Sequence, residues 1–314
     1  MDGVSEDDVL IIASKETTYG TDSVPAPGAN SMLTSAFQLN PLDRQEVSRD
    51  LDRPGMGGDP SILSGIHYSN TFKLEAAGSG TEGVAPAFAD ILLAAGYAET
   101  IVADTSVAYA PVSDDFDSVS MYAYYKEQLR KLLGWRAALG FEFQAGNMPY
   151  FILNGMGLYV GPADQAPAAA ADYSNFTDPL PIEDANTPTV TLGGTDLVLV
   201  NMTFNAPGNV SYRNLPNQEA VRIAGKRNLA GRLEVLMPED LSTFNPEGLA
   251  AAQTKSALQV VHGTTAGNIL TVDAPKVQIV DVNHGTHENE RTYQLDIKLT
   301  ATDGGDDEVK YTFT

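Results

Sequence analysis

The chain has no cysteine among its 314 residues, so disulfides and thiolate–zinc centres are excluded. Basic residues are scarce: 19 Lys and Arg stand against 41 Asp and Glu, a formal charge of −22 at pH 7. Holding nucleic acid by its phosphates needs clustered Lys and Arg, so this surface is not built for that. The same charge keeps a protein soluble, and it also suits a wall that stays near DNA without gripping it. No apolar run approaches the ~20 residues of a membrane-spanning helix. The opening MDGVSEDDVL lacks the basic start and apolar centre of a secretory signal, so neither a signal nor a membrane anchor is expected. The single tryptophan, Trp135, and the tyrosines Tyr122, Tyr124 and Tyr125 read as core or interface residues.

What is present is a globular composition, 43% hydrophobic, in a chain long enough for about two domains. In the stretch from Thr71 to Gly96, Phe72, Leu74 and Ala76 share one strand face, and Lys73 and Glu75 take the other. A glycine-rich loop follows. Pro86 suits a first helical turn; Phe88, Ile91, Leu92 and Ala95 form an apolar stripe, and Gly96 ends it. The same plan returns at Arg232-Leu233-Glu234-Val235-Leu236, followed by a loop and Asn245-Pro246. Asn245 can cap that helix, and Phe244 can pack on Leu249. Phe37, Pro41 and Val47-Ser48-Arg49-Asp50-Leu51 are echoed by Phe204, Pro207 and Val210-Ser211-Tyr212-Arg213-Asn214-Leu215. The shared order points to one structural unit used twice.

The division that follows is an N-terminal arm over 1–30, a first β unit over 31–161, a Pro- and Ala-rich linker over 162–189 and a second β unit over 190–314. In the first unit one short strand is expected near Ser35–Asn40. A polar loop carrying Arg44, Arg49 and Arg53 and ending in Pro54-Gly55-Met56-Gly57-Gly58 comes next, and gains order against a neighbour. Strands are expected at Val107–Val112, Val119–Tyr125 and Tyr150–Val160. Gly155 and Gly157 inside the last mark a bulge or a close backbone approach. The stretch Gln128–Gln144 is ambiguous: Leu129, Leu132 and Leu133 fit a helix, whereas Leu139, Phe141 and Phe143 alternate as in a strand. In the second unit strands are expected at Ala257–His262, Asn268–Asp273, Lys276–Asn283 and Thr292–Thr302. Strands with one helix per unit are not βαβ alternation. The fold class is mainly β: two related sandwiches or partial barrels of antiparallel sheet, each with one flanking helix.

Catalytic motifs are thin. Gly78-Ser79-Gly80-Thr81-Glu82-Gly83 matches the dinucleotide fingerprint, follows a strand, precedes a helix and has Asp104 downstream. Against it, the strand alternates instead of being apolar on both faces, and Pro86 starts the helix too late for the pyrophosphate. His284-Gly285-Thr286-His287 with Glu288 and Glu290 could be drawn as a metal site, but a polar hairpin loop is the simpler reading. His287-Glu288-Asn289-Glu290-Arg291 is not the zinc-protease pattern, and Gly-x-Ser-x-Gly does not occur. Asp114-Asp115-Phe116-Asp117 and 303–308 are acidic turns without calcium-loop spacing. No enzyme activity, metal or cofactor is expected.

Lys15–Asp22 (KETTYGTD), Gly78-Ser79-Gly80 with Pro86, and the helix ending Leu92-Leu93-Ala94-Ala95-Gly96-Tyr97-Ala98-Glu99-Thr100 resemble the major tail tube protein of long-tailed phages. So do Val119–Gly146, Gly157–Pro162 and the closing DGGDDEVKYTF. Lys126-Glu127 departs from the pattern, standing where a glycine-containing hairpin turn is expected.

The resemblance implies a β-sandwich-like barrel with a flanking helix, closing into six-fold rings that stack into the tube through which the genome leaves. It implies a place in the virion tail, with assembly in the host cytoplasm. The implied partners are further copies of the chain and the tape-measure, tail-terminator and distal tail proteins, with double-stranded DNA passing unbound. With two units per chain, three copies complete a pseudo-six-fold ring; six copies are the alternative. Glu142, Gln144, Gln294 and Asp296 are the candidate lumen residues, and Arg44, Arg49, Arg53 and Met56 the candidate inter-ring contacts. A tail terminator or baseplate component, which forms a ring without polymerising, is a second reading. A carbohydrate-binding module or nucleotide-binding enzyme is a third.

Overall fold

The computed structural model describes residues 3–5, 8–49, 51–52, 57–302 and 304–314. Its first run of elements is β1 (Val9–Lys15), α1 (Pro27–Asn30), β2 (Ser31–Met32), β3 (Ser35–Val47), β4 (Ile62–Glu75), α2 (Ala89–Ala94), β5 (Tyr97–Val102), β6 (Ser106–Pro111), β7 (Val119–Tyr125), β8 (Gln128–Gln144), β9 (Tyr150–Tyr159) and β10 (Ala163–Asp164). The second run is β11 (Thr189–Leu192), β12 (Thr195–Asp196), β13 (Leu199–Phe204), β14 (Val210–Leu215), β15 (Gln218–Ile223), β16 (Ala230–Leu236), α3 (Pro246–Ala251), β17 (Lys255–His262), β18 (Leu270–His287), β19 (Glu290–Leu299) and β20 (Lys310–Phe313).

The fold is mainly β and antiparallel. In the first run the pairing order is β1-β7-β8-β9-β4-β3. In the second it is β11-β17-β18-β19-β16-β13. The two orders agree strand for strand. Short strands agree as well: β2 lies on β1 as β12 lies on β11, and β10 pairs with the start of β8 as β20 pairs with the start of β18. Each run has one extra feature. The β5–β6 hairpin occurs only in the first, where β6 joins β20. In the second, the long β3–β4 hairpin is replaced by β13 and β16 with a separate β14–β15 hairpin between them.

The helices start and stop where local chemistry says they must. Asn245 accepts a hydrogen bond from the Gly248 N–H at 2.8 Å, and Pro246 takes the position where no donor is needed. Phe244 is buried and Leu249 packs against the same core. In α2, Ile91 and Leu92 are fully buried and Gly96 ends the helix at φ +83°.

Gln128–Gln144 is one strand, not a helix. Its register slips between Leu133 and Arg136, with Gly134 at φ +56°. That bulge resets the alternation, which is why the leucines there mimic a helical period. β18 likewise runs unbroken through Pro275, which falls where the β17–β18 register shifts. The strand expected near Ser35–Asn40 continues to Val47, so Arg44 stands in β3 and not in a loop. The motif His284–His287 is the end of β18; the turn is Glu288-Asn289, both at positive φ. Lys126 takes φ +57° in the β7–β8 turn, a conformation that a glycine adopts more easily.

The N-terminal arm and the linker are both tied to the sheets. Within 1–30, β1 pairs along β7 and buries Ile11, Ile12 and Ala13. Within 162–189, the Ile182 N–H donates to the Asn147 carbonyl and the Gly146 N–H to the Ile182 carbonyl, each at 2.8 Å. One hydrophobic cluster runs through both halves of the chain. Near its centre the Phe141 ring lies 5.5 Å from those of Phe151 and Tyr311 and 6.1 Å from that of Phe204. The halves therefore share a core and are not beads on a linker.

Candidate assembly surfaces

At the junction between the halves, β13 pairs antiparallel with the far end of β8: Phe204 opposite Phe141, Thr203 opposite Glu142, Met202 opposite Phe143, Asn201 opposite Gln144. This joins both halves into one sheet, β3-β4-β9-β8-β13-β16-β19-β18. Directly opposed residues share a face. One face is apolar: Leu74, Phe151, Phe141 and Phe204 form one row, and Phe143, Met202, Leu233 and Leu295 the next. That face meets α2 and β20, with Phe88 edge-on to Phe151 and Phe313.

The other face is polar, and all four candidate lumen residues lie on it. One row reads Glu75, Tyr150, Glu142, Thr203, Arg232, Asp296, Asp281; the next reads Gln144, Asn201, Glu234, Gln294, Asn283. Cations are placed among the acids. Lys73 Nζ is 2.5 Å from Glu142 Oε2, and Arg232 Nε is 2.9 Å from Asp296 Oδ1. Lys73 and Arg232 are the basic residues of the Lys-Leu-Glu and Arg-Leu-Glu echoes, so the sequence already marked them as a pair. Thr292 and Gln294 both donate to Glu234 Oε1. At one corner, burial and then the nearby Asp178 carboxylate hold Glu75 above the usual carboxylate range.

The sheet has two open edges. Among the described residues, β3 pairs only with β4, and β18 beyond Gln278 pairs only with β19. The β3–β4 hairpin ends in exposed apolar side chains: Val47, Leu51, Ile62 and Leu63 are each at least 42% exposed. Arg44 lies on this hairpin and pairs with Glu46 at 3.1 Å. Arg49 is exposed beyond the strand end. Arg53 and Met56 fall outside the described residues.

The β14–β15 hairpin is held across the first half. Arg136 donates to the carbonyls of Asp117, Phe116 and Val221, and the Val221 N–H donates to the Tyr19 hydroxyl at 2.6 Å. His67 stacks on Tyr212 with ring centroids 4.1 Å apart. The KETTYGTD segment supplies the anchors. Buried Glu16 accepts from the Ser118 and Ser120 hydroxyls and from the Gly20 and Gly134 N–H groups, at 2.6–2.8 Å. Tyr19 lies under Arg136, and Asp22 takes Tyr122 and Lys131.

The glycines of the 78–83 fingerprint serve packing. The Gly80 N–H donates to the Gly267 carbonyl at 2.9 Å. A Cβ on Gly78 would come within 2.1 Å of the Gly267 oxygen, and one on Gly83 within 2.3 Å of the Asp104 nitrogen. The chain's own backbone lies directly against Gly78 and Gly83. His284 faces Glu247 of α3 at 3.6 Å.

A search of curated proteins found no match to this chain. A family model does match, that of the phage tail tube protein, over residues 7–314. With the match covering essentially the whole of a mainly β, antiparallel fold, the chain belongs to the phage tail tube protein family, a structural component of the virion tail.

Proposed function

We propose that three copies of this chain close into a pseudo-six-fold ring, that rings stack into a tube, and that the polar sheet face lines the bore through which the genome leaves. The observation carrying this reading is the agreement of the two pairing orders, with β13 of the second half completing the sheet of the first. The chain then holds two copies of one tube unit, the first running from β1 to β10 and the second from β11 to β20.

The sheet dimensions fit. Each copy contributes the strands β3-β4-β9-β8-β13-β16-β19-β18. Three such sheets joined edge to edge, at about 4.8 Å per strand, close into a cylinder roughly 40 Å across before strand tilt widens it. Side chains narrow that bore, and a DNA duplex still passes. On the bore face Glu75, Glu142, Glu234, Asp281 and Asp296 outnumber Lys73, Arg232 and Lys298. A duplex carrying one charge per about 1.7 Å meets no net attraction there and slides.

Three copies at −22 each carry −66. That repulsion acts over about one Debye length, ~8 Å at physiological salt, so subunits stay apart until close contacts form. The apolar tip of the β3–β4 hairpin, with Arg44, Arg49 and the adjoining Arg53 and Met56, is the surface offered to the next ring. The tape-measure protein occupies the bore before ejection, terminator and distal tail proteins cap the ends, and assembly takes place in the host cytoplasm.

Negative-stain microscopy of the concentrated protein tests this reading. Tubes are expected. Isolated rings that never stack would favour a terminator or baseplate part, and monomers at all concentrations would contradict both.

A further inference from the structure

Resting on that reading, we propose that neighbouring copies join by antiparallel pairing of the β3 edge of one chain with the exposed far end of β18 of the next, in the register that β13 and β8 already show inside the chain. The internal junction is the template. β13 uses its edge opposite β16 to take the end of β8, on the edge of β8 that β7 leaves free. By pairing order β3 stands where β13 stands, and β18 where β8 stands. Their matching edges are, among the described residues, the two open edges of the eight-strand sheet.

The register follows from equivalent positions. Leu74 with Leu233, and Lys73 with Arg232, align β4 on β16. Ser35 is opposite Lys73 as Thr203 is opposite Arg232, so Ser35 takes the place of Thr203. Leu233 lies opposite Leu295, which lies opposite Val282; Leu74 lies opposite Phe151, which lies opposite Phe141. Val282 therefore takes the place of Phe141, and Asn283 that of Glu142. Ser35 of one copy then faces Asn283 of the next and Leu33 faces Gly285, while the β3 bulge at Ala36, φ +51°, brings Phe37 opposite Val282.

Three further features agree. Leu33 is 43% exposed and Val280 46%, large apolar groups beside the two edges that pairing would cover. The Val282 N–H donates to the Asp281 side chain of its own strand at 3.0 Å. Pro41 sits in β3, where a missing N–H ends ladder pairing, as Pro207 follows β13. An unpaired strand edge takes another strand readily, so a chain with two complementary edges closes on copies of itself.

The chain has no cysteine, so engineered thiols report cleanly. Opposed residues in an antiparallel pair lie about 4.5–5.5 Å apart at Cα, within reach of a disulfide. Mild oxidation of assembled Ser35→Cys/Asn283→Cys protein should give dimers and trimers on a non-reducing gel, and neither single variant should. Assembled rings or tubes with both thiols free would overturn the junction and leave the tube reading intact. A ladder running to six chains would keep the junction and remove the three-copy ring. If the double variant does not assemble, hydrogen exchange on wild-type tubes decides the matter. Amides over 281–286 should slow at least tenfold relative to the monomer, and unchanged exchange there would overturn the proposal.

Discussion

At the scale of single residues, the family-like strings are anchors. Glu16 is 5% exposed and takes four donors from three separate segments. Glu16→Gln turns one acceptor into a donor facing donors, and should cost about 2–4 kcal/mol, read as a lower urea midpoint of the monomer. His262 is buried, with Nε2 on the Leu180 carbonyl and Nδ1 on the Thr187 hydroxyl, edge-on to Phe143. Burial holds its imidazole below the ordinary 6.5, against the upward pull of the Leu180 carbonyl. The unfolded chain therefore takes up that proton at higher pH than the folded one. Its contribution is complete above pH 6.5 and declines as pH falls from 6.5 toward the folded value. Denaturation midpoints of the wild type should show this decline, and His262→Gln should lack it. Much at this scale was legible: Asn245 as a cap, Gly96 as a stop, and Gly155 as a close approach, where a Cβ would come within 2.4 Å of Trp135. Glu16 was not, because three of its four donors lie 102–118 residues away in sequence.

At the scale of elements, legibility followed burial. β6, β7, β9 and β19 alternate between a buried face and a wetter one, or are bounded by turns, and they read directly. β1 did not, since Ile11, Ile12 and Ala13 are covered on both faces and show no alternation. The outer part of β3 did not either, because it is polar or exposed on both faces. Such a strand carries a hydrophobic signal only when something covers it. The β14–β15 hairpin, between β13 and β16, is held instead by Arg136 and Tyr19, and it buries Val221 and Ile223. Arg136→Ala should speed hydrogen exchange over 210–223 and lower stability by about 2 kcal/mol, since three carbonyls lose their donor. Exchange confined to wild-type rates there would show that the hairpin is held by other means.

At the scale of the whole molecule, Glu142, Gln144, Gln294 and Asp296 were legible as polar-face positions from alternation alone, and they share one sheet face. Their ion partners Lys73 and Arg232 and the two open edges were not, because both depend on which strands become neighbours. If that face lines the bore, Glu142→Lys with Asp296→Lys removes two negative charges and adds two positive ones, a shift of +4 per chain toward the phosphates, and genome release should slow. Unchanged release kinetics in such a phage would place this face elsewhere. The account rests most on three chains per ring. Native mass spectrometry of the smallest closed ring should give about 100 kDa, three times 33.4 kDa. A ring of six chains, near 200 kDa, would contradict it.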